Sequence, residues 1–270
     1  MIRLVLAFMH EARPLIDYYR LAKAECPHPY PIYANDQIKL IVSGIGKTAA
    51  AAAVGYLQAL GLPSETIAWL NLGIAGHGTL GMGQGFLAHR VEDQATGRCA
   101  YPPLVFPFSA KTSDLQTVDH PLNRYEANRG YDMEASGFVQ SALRGATAEW
   151  VHCYKVVSDN PSLPLGKFDK AGTKALIEKR LDEIDPLVSM LIEQVLEWRA
   201  VNDPESAWDE ITKRHRFSET RRAQLRRLLQ RWKAMEARPI LSCIDPGAYP
   251  NAATLLDDVR QRLSLHRLAF

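Results

Sequence analysis

A short β-rich run, Ile38-Lys39-Leu40-Ile41-Val42, passes through Ser43-Gly44-Ile45-Gly46 straight into an alanine-rich stretch, Lys47 to Leu60. This switch from strand to helix limits the fold more than any other feature. Two glycines mark the junction, and Gly61 and Pro63 close the far end. Similar units recur. Met1 to Ala7 reads as a first strand, Ile67 to Leu72 as one ending at Gly73, Phe86 to Val91 as another, and Trp150 to Val157 as a late one. Glu134 to Leu143 and Asp169 to Trp198 read as helices. Strands alternating with helices predict an α/β sheet with helices on its faces.

Beyond about Trp198 the pattern changes. Asn202-Asp203-Pro204 breaks the long helix, and Ser218 to Ala237 is helical and basic: Arg221, Arg222, Arg226, Arg227, Arg231 and Lys233. Leu225, Leu228, Leu229, Trp232 and Met235 recur at helical spacing and give that segment one apolar face. A loop with Pro239, Pro246, Gly247 and Pro250 follows, then a last helix from about Asn251 to His266. The expected organisation is a core domain over residues 1–198 and a basic helical C-terminal extension over 199–270. Such a charge run is ordinarily the solvated face of a packed helix. The formal net charge is +2, so nucleic acid is not an expected partner.

With 47% hydrophobic and 23% charged residues among 270, the composition is that of a globular chain. No apolar run approaches the ~18 residues of a membrane span, so no membrane partner is expected. The apolar start is too short for a secretion signal. Cys26, Cys99, Cys153 and Cys243 are scattered without C-x-x-C spacing, which argues against zinc and against a disulfide framework. His77 and His120 are isolated. No metal or cofactor is expected, and a reducing cytoplasm is the default location.

Chemistry is sought where strands end. The Ser43-Gly44-Ile45-Gly46-Lys47 turn fits neither a P-loop nor G-x-G-x-x-G; it is a tight turn, or it presents N–H groups to an anion or polar ligand. Asn71-Leu72-Gly73-Ile74-Ala75-Gly76-His77-Gly78 reads as a second glycine-rich strand end, either a packing turn or a place where ligands collect. Asp132-Met133-Glu134-Ala135-Ser136 is an acidic helix start. Its glutamate, between apolar neighbours, is also able to accept from the two adjacent hydroxyls of a ribose. Val156-Val157-Ser158-Asp159-Asn160 ends a buried strand in an acid: a proton donor in low dielectric, or an Asx turn leading into Pro161. Glu11 is a third acid at a strand end, or an ordinary solvated first helical turn.

The order of these pieces is more specific than any one of them. Strand–Glu11, Ser43-Gly44-Ile45-Gly46-Lys47, Asn71-x-Gly73-x-Ala75-Gly76, Met133-Glu134-Ala135 and Ser158-Asp159 follow one another over about residues 1 to 197. In this the sequence resembles the purine nucleoside phosphorylase type I superfamily, and within it most resembles the methylthioadenosine/S-adenosylhomocysteine nucleosidases. The resemblance implies a mixed twisted sheet flanked by helices, with the C-terminal helical extension appended. It implies cleavage of the N-glycosidic bond of a purine nucleoside or thio-nucleoside, by hydrolysis. Glu11 takes the role of activating water, and Asp159, supported by Ser158, that of protonating the purine. Met133 lies beneath the sugar and Glu134 on its hydroxyls. Gly44, Ala75, Gly76, Asp132 and Lys155 complete the implied binding set. The implied partners are a small-molecule nucleoside and further copies of the chain, a dimer being favoured.

The sequence also departs from that pattern. Phosphorylases of the superfamily carry arginines where this chain has Asn71 and the Met9-His10-Glu11-Ala12-Arg13 stretch. Phosphorolysis, with phosphate as co-substrate, is therefore the alternative, and Arg13 with the Gly44–Gly46 turn would have to hold the anion. Lys155 stands where the nucleosidases carry arginine, and Ile74 where a serine commonly meets the nucleophile. The Leu115–Leu122 stretch, which ought to supply a base-stacking aromatic, has none before Tyr125. A protein that binds nucleosides without cleaving them is the non-enzymatic alternative.

Overall fold

All five residues of the first strand, β1 (Ile2–Leu6), are buried. Successive side chains of a strand point to opposite faces. Ile2, Leu4 and Leu6 accordingly join one apolar cluster and Val5 a second. The other strands are β2 (Ala22–Lys23), β3 (Ile32–Ala34), β4 (Ile38–Val42), β5 (Ala68–His77), β6 (Gly85–Asp93), β7 (Cys99–Ala100), β8 (Lys111–Thr117), β9 (Arg129–Asp132) and β10 (Val151–Asp159). The helices are α1 (Met9–Tyr18), α2 (Lys47–Ala59), α3 (Ala135–Ala142), α4 (Lys170–Glu178), α5 (Leu181–Asn202), α6 (Glu205–Arg214), α7 (Glu219–Met235) and α8 (Ala252–Leu265). This computed structural model describes residues 1–25, 27–61, 66–109, 111–122, 125–126, 128–163, 170–202, 205–235 and 238–265. Cys26, Pro63, Asp169, Asp203, Pro204, Ala237 and His266, which entered the sequence reading, lie outside the described residues.

The sheet is mixed, as expected, and it closes on itself. β5 pairs with β10, β10 with β6, β6 with β8, β8 with β9, and β9 returns to β5. β1, β4, β3 and β2 extend outward from β5. Side chains of α1, α4 and α5, such as Leu15, Ile177 and Leu187, share the cluster of Leu4, Leu40 and Leu70. Side chains of α2 and α3, such as Val54 and Phe138, cover the other face with Val5, Ile41 and Trp69. The helices thus flank the sheet on both sides. The chain divides into two compact units, Met1–Val195 and Leu196–Phe270. Within the second, Ile211, Leu225, Leu229, Trp232, Leu255, Val259 and Leu263 form a core of their own. No helix among the described residues is long and apolar enough to cross a membrane.

Three readings of the sequence need correction. The strand expected to stop at Gly73 runs on to His77, because its backbone stays paired, with β10 through Gly76 and with β9 at Gly76 and His77. The single helix expected over Asp169 to Trp198 is two helices within the described residues. At their junction Arg180 donates to the Gly83 carbonyl at 2.5 Å and pairs with Glu183 at 2.7 Å, which ties the turn down. Trp150 belongs to a short 3-10 turn, not to the late strand, which instead extends to Asp159.

Candidate active site

The carboxyl ends of β1, β5 and β10 open, with the β9–α3 junction, into one cavity of about 390 Å³. That is within the range of small-ligand sites, roughly 300–1,000 Å³. Glu11 enters from the first turn of α1. It is buried rather than solvated, and it spans two backbones: Phe8 N–H donates to Oε2 at 2.9 Å and Ile74 N–H to Oε1 at 3.0 Å. The approach to β5 is possible because residue 73 is glycine; a Cβ there would stand 2.9 Å from Oε1. Burial pushes the Glu11 carboxyl up to about 7, against the pull of the Ile74 N–H and of Lys155. The carboxyl is thereby poised to gain or lose a proton near neutrality.

Glu134 stands at the N-terminal boundary of α3, and its carboxylate accepts from Gly46 N–H at 2.8 Å and from Met133 N–H at 3.3 Å. Burial, then the nearby Asp132, raise its pKa. The glycine turn is therefore occupied: Gly46 (φ +99°) serves a carboxylate, and Gly44 (φ +87°) donates to the Ala7 carbonyl at 3.2 Å. Gly44 does not line the cavity, whereas Ile45, Ala75, Gly76, Met133 and Ser158 do.

Asp132 touches the cavity but is spent on structure. It accepts from Thr117 Oγ1 and from Ala135 N–H, both at 2.8 Å, and pairs with Lys155 Nζ at 2.9 Å. Lys155 stands behind the wall, fully buried. Burial opposes its charge, but Asp132 and Glu134 outweigh it and hold the pKa above the ordinary lysine value.

Asp159 owes its direction to a β-bulge. Val157 pairs with Ala75 and Asp159 with Gly76, so Ser158 is an extra residue in β10. Consecutive side chains, Ser158 and Asp159, both reach the cavity as a result. Ser158 Oγ donates to Asp159 Oδ1 at 2.5 Å, and the Tyr125 hydroxyl donates to Oδ2. The Asx turn weighed for Asp159 belongs instead to Asn160, which accepts from Ser162 and Leu163 N–H.

Sequence reasoning did not assign Phe8, Val118, Pro121, Leu122 and Tyr131 to the site; they make up much of its apolar lining. The Leu115–Leu122 stretch begins with the last three residues of β8, and only Val118, Pro121 and Leu122 of it reach the cavity. Phe8, between the first strand and Glu11, carried a signal that went unused. No Lys, Arg or His is among the described lining residues. Arg13 is exposed and pairs with Asp17 at 3.1 Å. Among the described residues no group of three or more His, Cys, Asp or Glu is placed to hold a metal.

No protein-family model matches the chain, and no curated protein matches its sequence. Solved structures do match. An MTA/SAH nucleosidase is 17% identical with a TM-score of 0.56, covering 70% of this chain and 95% of its own. The 5′-methylthioadenosine/S-adenosylhomocysteine nucleosidase of Colwellia psychrerythraea 34H, in complex with adenine, is 17% identical with a TM-score of 0.55, covering 72% and 95%. The 5′-methylthioadenosine nucleosidase of Arabidopsis thaliana in apo form is 17% identical with a TM-score of 0.53, with the same coverage. The chain shares the fold of these proteins; α7 and α8 lie beyond the matched region.

Proposed function

We propose that this protein hydrolyses the N-glycosidic bond of a purine nucleoside or 5′-thio-nucleoside. The observation that carries the reading is the cavity wall: Glu11, Glu134 and Asp159 line it together, with no basic side chain among its described residues. Breaking the bond leaves positive charge on the ribose and negative charge on the base. Asp159 gives a proton to the purine ring as the C1′–N9 electron pair moves onto the base. Glu11 takes a proton from water as its oxygen bonds C1′. Glu134 accepts from the ribose hydroxyls over Met133, and the carboxylates oppose the developing cationic charge on the sugar.

Hydrolysis is preferred to phosphorolysis because nothing described in the cavity offers phosphate a counter-charge. Arg13 is paired elsewhere, and the Gly46 N–H already serves Glu134. The fold shared with a nucleosidase in complex with adenine supports adenine as the first base to try. The deciding experiment measures base release from a panel of purine nucleosides and 5′-thio-nucleosides, with and without phosphate. The expected result is release of base and free sugar at a rate that added phosphate does not change. An absolute requirement for phosphate, with sugar 1-phosphate as product, would replace hydrolysis by phosphorolysis. Binding without release from any member of the panel would make the protein a nucleoside binder.

A further inference from the structure

We propose that Tyr125 is a latch on Asp159: in the ligand-free protein its hydroxyl holds the carboxyl oxygen that the leaving base must engage, and the base binds by displacing it. The proposal rests on the function proposed above.

The geometry is specific. Asp159 has two oxygens, and both are taken. Ser158 occupies Oδ1 from within the same strand, and Tyr125 reaches Oδ2 from a different part of the chain. Gly76 leaves the room in which they meet. A Cβ at that position would stand 2.7 Å from Asp159 Oδ2 and 2.8 Å from Tyr125 Cε1. The Tyr125 ring also lies against Tyr131, with centroids 5.5 Å apart. Burial, then the bond to Asp159, hold the Tyr125 phenol above its usual range, so it keeps its proton and is the donor.

A phenol O–H directed at the carboxylate from the cavity side sits where a purine ring nitrogen has to come. Asp159 cannot serve both at full strength. Part of the free energy of base binding is therefore spent on breaking the tyrosine's bond, and a ligand with no polar group for Asp159 leaves the latch shut. This makes Tyr125 a specificity-determining residue, distinct from the stacking aromatic that the sequence led us to look for.

The test is adenine binding by calorimetry to the wild type and to Tyr125→Phe, with KM and kcat for the cleaved nucleoside. Removing the hydroxyl is expected to tighten adenine about tenfold and to lower KM by a similar factor, with kcat changed less than threefold. Equal or weaker adenine binding in Tyr125→Phe overturns the latch and leaves the function standing. Adenine binding to neither protein, with no base release, overturns the function and the latch with it. A second measurement uses the unaltered tyrosine, so it holds even if the variant folds poorly. In protein labelled with ¹³C at tyrosine Cζ, the Tyr125 resonance is expected to move on adding adenine, and in the free protein on Asp159→Asn. A resonance indifferent to both overturns the latch.

Discussion

The two units of the chain treat charge in opposite ways. Met1–Val195 carries 18 Lys and Arg against 20 Asp and Glu, and it buries Arg3, Glu11, Asp93, Asp132, Glu134, Lys155 and Asp159. Leu196–Phe270 carries 14 against 10, yet among its described residues no polar or charged side chain is buried. A buried charge is costly unless it is paired and hydrogen-bonded. The helical unit avoids that cost by keeping its arginines outside an apolar core, as a stable packed unit does. The sheet unit accepts the cost at strand ends and offsets part of it with Lys155, Thr117 and backbone N–H groups. Chemistry should therefore be sought in the first unit, and changes to the second should register as stability.

The strongest way to break this comparison is Asp159→Asn. Asparagine keeps the shape and can hydrogen-bond but cannot transfer a proton. Base release is expected to fall about 10²–10⁴-fold while adenine affinity and melting temperature change little. Parental release rates in that variant would remove Asp159 as the acid.

Glu11 gives the second test, and here activity and stability should move in opposite directions. To accept a proton from water the carboxyl must be ionised, so the limb of the cleavage profile that belongs to Glu11 should fall away below about pH 7. The stability sign follows from the raised pKa. Between about 4.5 and 7 the folded protein holds a proton that the unfolded chain releases. The contribution of this group is thus fully present below 4.5 and is lost as pH rises through 7. At pH 8 the ionised, buried Glu11 costs on the order of 3 kcal/mol. Glu11→Gln should lose most cleavage, melt higher than the parent at pH 8, and melt alike near pH 4. A variant that melts lower at pH 8 would show that the carboxylate is compensated after all.

Legibility followed the same division of labour. β4 and α2 could be read almost to the residue, because local period, glycine punctuation and burial agree there. β5 was cut short at Gly73, since glycine is ordinarily a terminator; here Gly73 and Gly76 are the places where Glu11, Asp159 and Tyr125 come close. β8 and β9 went unseen because Lys111, Asp114, Gln116 and Arg129 blur any alternation. Glu11 and Asp159 were visible from their positions at strand ends and Glu134 from its place at a helix start, while the contacts of Asp132 and the retreat of Lys155 behind the wall depend on partners distant in sequence.

Smaller effects sharpen the comparison from the other side. Leu229 is buried in the helical core, so Leu229→Ala should destabilise that unit by about 2–5 kcal/mol, read from helical signal in urea. A loss under 1 kcal/mol would mean that the core is loosely packed. Arg227 is exposed on α7, and Arg227→Ala should change stability by no more than about 0.5 kcal/mol. A larger loss would give that arginine a structural partner and weaken the view of α7 as a solvated basic face.

The bulge in β10 carries one further consequence. In a regular strand, the face a residue meets is decided by whether its position is odd or even. By inserting Ser158 opposite no partner, β10 changes parity one step before its end, and Asp159 inherits a side that a regular count would have denied it. The acid is thus aimed by arithmetic as well as by its neighbours. Replacing Ser158 by alanine removes a hydroxyl and leaves the bulge; deleting Ser158 removes the bulge and leaves the carboxylate opposite Gly76, on the face it meets now. Comparing that deletion with Ser158→Ala separates what the residue contributes as a side chain from what it contributes as a unit of length.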